Sequence, residues 1–121
     1  MDERSEIAAM SDGISAFDLG IGTDVLDGVP KAVGMEMVLR SMSPSVIAVD
    51  EIGTSEDVKA LKNCINSGVR VLCTIHGYNV EDIKNREGIE ELIKYFDIFL
   101  VLSRDTKTMG FSSYVLGRED I

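Results

Sequence analysis

Two adjacent carboxylates, Asp50 and Glu51, stand at the end of the apolar run in "SPSVIAVDEIGTSED" (residues 43–57), just before a glycine and a helix start. An Asp that closes an apolar strand can hold the water shell of a magnesium ion beside nucleotide phosphates. A neighbouring Glu can orient or deprotonate an attacking water. Asp and Glu also follow strands simply because loops are wet, so the pair alone leaves both readings open. His76, the one histidine, follows a second apolar run, "VRVLCTI", where it could sense a phosphate. A lone His is more often a surface or hydrogen-bonded structural residue, and nothing near it completes a metal-ligand set. Asp2, Glu3 and Arg4 fit the tip of an earlier strand.

These residues need a scaffold. The run at 45–50 carries β-branched residues and suits a strand covered on both faces, as in parallel sheets. Thr54 with Asp57 forms a capping box, with Ser55 as an alternative cap, and opens a helix with Val58, Leu61 and Ile65 on one stripe, ending at Gly68. Residues 69–75 form a second strand. Upstream, Pro30 opens a helix over 31–42 with Val33, Met37 and Val38 inward, and Pro44 stops it. Residues 11–28 are turn-rich and read as loop with room for one short helix. Downstream come helices near 79–85 and 88–96, the latter with Ile89, Leu92, Ile93 and Phe96 inward. A third strand at 97–103 has a hairpin partner at 111–117. Strand, helix, strand, helix, strand with short links gives an α/β layered domain with a mainly parallel core. In such sheets ligands bind outside the carboxyl ends of the strands, where Asp50, Glu51 and His76 fall.

The bulk properties narrow the function. The 121 residues suit one domain. Twelve basic against 21 acidic side chains give a net charge of −9, which disfavours nucleic-acid binding. No apolar run approaches the ~20 residues of a membrane span. "MDERSEIAAM" lacks the apolar stretch of a secretory signal. Cys64 and Cys73 form no CxxC pattern and read as reduced, buried and structural. A cytoplasmic chain is expected. "GIGTDVLDG" is a connecting loop: no G-x-x-x-x-G-K-[ST] occurs anywhere in the sequence. Ser5 and Ser41 lack a base or oxyanion elbow, so acyl transfer is unsupported.

Three segments together, "DERSEIA" (2–8), "TDVLDGVPKAVGMEMVLRSMSPSVIAVDEIG" (23–53) and "GVRVLCTIHG" (68–77), resemble the stage III sporulation protein AA family. The resemblance implies a three-layer RecA-like (P-loop NTPase) ATPase related to the hexameric motors of type II secretion and type IV pili. Its cofactors would be ATP and Mg2+. Its partners would be further copies of itself and the membrane-channel proteins between mother cell and forespore, placing it on the mother-cell side, at the membrane periphery. "VIAVDEIG" resembles Walker B, making Asp50 the magnesium-side acid and Glu51 a candidate water activator. "TIHG" resembles the His-containing sensor box of secretion ATPases and places His76 near the γ-phosphate. "DERSE" resembles their acidic box, so Glu3 competes with Glu51 as the base. Arg4 or Arg40 could face a neighbouring subunit's nucleotide, although Gly22 and Thr54 stand where many relatives would carry a basic residue.

Relatives carry a Walker A loop upstream of the DERSEIA segment. Residues 1–121 are therefore expected to be the C-terminal portion of a single RecA-like domain without its Walker A strand, unable to bind or hydrolyse ATP alone. With that central strand absent, the strands at 69–75 and 97–103 are expected to pair directly, to dimerise, or to leave the fold marginally stable. Two alternatives accompany the ATPase reading: a non-catalytic oligomerisation or interaction module of the same assembly, and a nucleic-acid-associated relative.

Overall fold

The computed structural model describes residues 1–121 and divides them into two compact units, Met1–His76 and Gly77–Ile121. In the first unit, β1 (Met10–Ser11) and β2 (Ile14–Ser15) form a small antiparallel hairpin. No helix forms within 11–28; the glycine-rich stretch is hairpin and loop instead. Asp12 and Gly13 turn this hairpin with positive φ at both positions, a geometry that Asp and Gly tolerate best. The loop returns so that Asp2 and Asp27 make an isolated parallel bridge, with the Asp2 N–H donating to the Leu26 carbonyl at 2.9 Å. The expected tip of an earlier strand is thus this single bridge.

Helix α1 (Lys31–Ser41) starts directly after Pro30, whose missing N–H costs nothing there. Its rotation differs from the expected one. Lys31, Gly34 and Met35 are buried, whereas Val33 and Met37 are about half exposed. The apolar residues of α1 follow no clean stripe, so the helix is oriented by what its first turn must meet: Lys31 enters the interior towards two carboxylates.

Strand β3 (Val46–Val49) pairs in parallel with β4 (Arg70–Cys73), in register from Val46 opposite Arg70 to Val49 opposite Cys73. The pair is continued by the Ile52 N–H, which donates to the Thr74 carbonyl at 2.9 Å. β3 is covered on one face only: Ile47 and Val49 are buried while Val46 and Ala48 are exposed. Its alternation is the signature of a half-covered strand, contrary to the two-sided burial expected. Helix α2 (Ser55–Asn66) packs against both α1 and β4. Val58, Leu61 and Cys64 lie on its inner face, Leu61 and Cys64 fully buried, with Ile65 partly covered.

The α2 N-terminus is closed reciprocally. The Asp57 N–H donates to the Thr54 hydroxyl at 3.1 Å, and the Asp57 carboxylate accepts from the Thr54 N–H at 3.0 Å and the Gly53 N–H at 3.2 Å. Thr54, not Ser55, is the cap. Thr54→Ala is expected to lower stability by about 1 kcal/mol and Thr54→Ser to restore most of it. Urea unfolding midpoints check this; an alanine variant matching the parent would show that the box holds nothing.

In the second unit, α3 (Val80–Lys84) and α4 (Ile89–Ile93) precede β5 (Ile98–Arg104), which pairs antiparallel with β6 (Phe111–Gly117). Ile89 and Leu92 are buried as expected, Ile93 and Phe96 only in part. The third strand therefore joins a hairpin sheet of its own, and the fold holds three two-stranded sheets, one of them parallel. The α/β class stands. Adjacent hairpin strands meet at the lowest loop-closure cost, which favours β6 as the partner of β5. Register places Leu100 beside Val115 and Arg104 beside Phe111; Ile98, Leu100, Leu102, Phe111 and Val115 are all exposed.

Candidate functional site

The carboxyl edge of the β3–β4 pair carries the residues singled out by chemistry. Asp50 follows β3 directly and is 8% exposed. Its Oδ1 has no hydrogen-bond partner. The Lys31 ammonium lies 3.7 Å from that oxygen, an ion-pair separation beyond hydrogen-bond reach. Burial raises the carboxyl's pKa; Lys31 opposes this, and the neighbouring Asp2, Glu3 and Glu6 push it further up.

Lys31 holds a second acid. Its Nζ is 3.6 Å from Glu3 Oε2, and that same oxygen accepts the Lys31 N–H at 3.3 Å. Glu3 thereby answers both the charge and an orphan N–H at the start of α1, where a carboxylate is favoured by the helix dipole. Lys31 is itself 8% exposed, so one buried cation links two carboxylates from segments far apart in the sequence.

Asp2 organises the segment that delivers Glu3. At 2% exposure, its carboxylate accepts from the N–H groups of Glu6 at 2.8 Å, Ile7 at 3.1 Å and Ala8 at 2.8 Å. Burial alone would raise its pKa, but these three donors together hold the carboxyl below its usual range.

Other candidates are less embedded. Glu51 is exposed, and no hydrogen bond or ion pair engages its carboxylate. His76 is exposed two residues beyond Thr74, at the same sheet edge. Arg4 projects outward, 4.0 Å from Glu6, and Arg40 pairs with Glu36 at 3.6 Å on the exposed face of α1. Cys73 lies at the end of β4 as a free thiol pushed up to about 11 by burial, and Cys64 is free and buried. Neither thiol is poised for nucleophilic work at neutral pH. No three His, Cys, Asp or Glu side chains converge to hold a metal ion by themselves.

The structure thus brings together Glu3 and Asp50, sets Glu51 and His76 on the same edge, and leaves Arg4 and Arg40 at the surface. Sequence reasoning missed Lys31 and the structural role of Asp2. For Lys31 the available signal was a basic residue directly after Pro30, at a helix start where positive charge is disfavoured unless something answers it.

The model of the family described as "Sporulation stage III, protein AA" matches residues 1–114. The chain belongs to that family. A curated relative, stage III sporulation protein AA of Bacillus subtilis (strain 168), is 45% identical over 106 residues, which cover 86% of this chain and 34% of that protein. This member of the stage III sporulation protein AA family therefore spans about a third of the relative's length. No solved structure matches it. No helix of this family member is long and apolar enough to cross a membrane.

Proposed function

We propose that this segment supplies the hydrolysis edge of an ATP-driven, RecA-like motor acting in spore formation, whose work energises a channel complex between mother cell and forespore. The observation that carries the reading is Asp50: a buried residue at the carboxyl end of a parallel strand, its Oδ1 without a hydrogen-bond donor, followed at once by the free carboxylate of Glu51. A buried acceptor normally has a partner, and one left open fits a water carried by a cation. Magnesium usually keeps several waters and takes one or two carboxylates together with phosphate oxygens, so the absence of a three-ligand protein cage agrees with it.

In this reading Asp50 would hold the water shell of Mg2+, and the ion, when bound, would supply charge neutralisation at the phosphates. Glu51 is the base. It is exposed and unengaged at the edge, whereas Glu3 is occupied by Lys31 and by the first N–H of α1. Glu3 is then a positioning residue, and His76, at the neighbouring strand's end, would meet a terminal phosphate. The phosphate cradle would come from outside these residues, which hold no P-loop motif, and the motor would work as a ring of like subunits on the cytoplasmic side of the membrane.

Thermal unfolding with and without Mg-ATP tests the reading in a full-length family member carrying this segment. ATP near 100 times its dissociation constant should stabilise the fold by about 2.7 kcal/mol. Asp50→Ala should remove most of that gain in Mg2+ and leave any metal-free ATP effect unchanged. A magnesium-dependent shift untouched by Asp50→Ala would contradict it.

A further inference from the structure

We infer that Lys31 is an internal counter-ion of the nucleotide-side edge, holding Glu3 and Asp50 together when no metal is bound and leaving Asp50 when a divalent cation arrives. The inference rests on the nucleotide-site reading only in naming the cation. Its grounds are geometric. Lys31 is 8% exposed, and its Nζ stands 3.6 Å from Glu3 and 3.7 Å from Asp50. That point between two acids is where a cation would be drawn, and a buried ammonium already fills it. The ammonium stands beyond hydrogen-bond reach of both acids, and the Asp50 Oδ1 it faces remains without a hydrogen-bond donor. Glu3, in contrast, also accepts the Lys31 backbone N–H, a second tie to Lys31 that Asp50 does not have.

A lysine reaches by a flexible four-carbon stem, so the ammonium can leave Asp50 while its backbone stays fixed at the start of α1. A divalent cation beside Asp50 and the Lys31 ammonium at ion-pair distance from the same oxygen repel each other strongly in a partly desolvated setting. Metal binding at Asp50 and the Lys31–Asp50 pair are therefore competing states. Lys31 keeps the acidic cluster of Asp2, Glu3, Glu6 and Asp50 from repelling itself in the empty site, and sets a threshold for metal entry.

The test uses Mn2+ alone, followed by electron paramagnetic resonance, with no nucleotide present. Lys31→Met should bind Mn2+ about tenfold or more tighter than the parent, since a positive charge within ion-pair range is gone. Lys31→Arg should resemble the parent, and Asp50→Asn added to Lys31→Met should erase the gain. Equal affinities for the parent and Lys31→Met, or a gain that survives Asp50→Asn, would overturn the inference. If Lys31→Met fails to fold, acylation of amines on the parent chain, read by mass spectrometry, decides instead. Lys31 should become more reactive across a Mn2+ titration while exposed Lys59 and Lys94 do not change; a constant Lys31 rate overturns the inference. Because ATP is absent, failure here leaves the ATPase reading standing, and failure of ATP binding leaves this one standing.

Discussion

Replacing Asp2 by alanine should lower the stability of the first unit by about 3 kcal/mol, the effect of stripping a charged acceptor from buried donors. Three N–H groups, of Glu6, Ile7 and Ala8, converge on this one carboxylate, and Ala8 is itself buried. Without the acceptor, the segment must either reach water or remain with unsatisfied donors, and both outcomes displace Glu3 from Lys31. Asp2→Asn retains one acceptor oxygen and should fall between the parent and alanine. The same carboxylate sets a pH dependence. Its folded pKa lies below the ordinary range of an aspartate, so its contribution is present at neutral pH and is lost as pH falls through the folded value. Urea unfolding at neutral and acid pH measures both. An alanine variant within about 0.5 kcal/mol of the parent, the range of ordinary surface changes, would show that the loop does not depend on Asp2.

The parts of the fold that sequence revealed are those fixed by neighbours in the chain. Thr54 and Asp57 are three residues apart, and the box they form depends on nothing else. The β3–β4 pair and the inner face of α2 follow from local periodicity and a short crossover. The rotation of α1 was not legible, because Lys31 is drawn inward by Glu3, 28 residues away, and by Asp50. Charge pairing across the fold overrode the weak apolar pattern that favoured Val33 and Met37. The β5–β6 hairpin was legible too, as two neighbouring apolar runs joined by a short turn; what was not legible is that β5 pairs with β6 alone, outside the parallel β3–β4 sheet. At the candidate site, residue types were readable from "VDEIG" alone. The division between an embedded Asp50, an unengaged Glu51 and a tethered Glu3 needed three dimensions.

That division carries the largest functional prediction. A carboxylate that activates water must be free to accept its proton in the substrate complex, and general-base catalysis contributes about 10²–10⁴-fold. Glu51 meets the requirement; Glu3 would first have to give up Lys31 and the helix N–H. Glu51→Gln preserves size and polarity while removing the basic oxygen, so binding should persist as turnover fails. Glu3→Gln should weaken the tie to Lys31, and its effect should appear in stability more than in chemistry.

ATP turnover by a full-length family member carrying this segment, compared between Glu51→Gln and Glu3→Gln, is the most direct measurement. The account predicts that Glu51→Gln lowers kcat by about 100-fold or more, with ATP binding intact, and that Glu3→Gln retains most of kcat. Undiminished turnover in Glu51→Gln, with turnover lost in Glu3→Gln, would contradict it and move the chemistry to the acidic segment at residues 2–8.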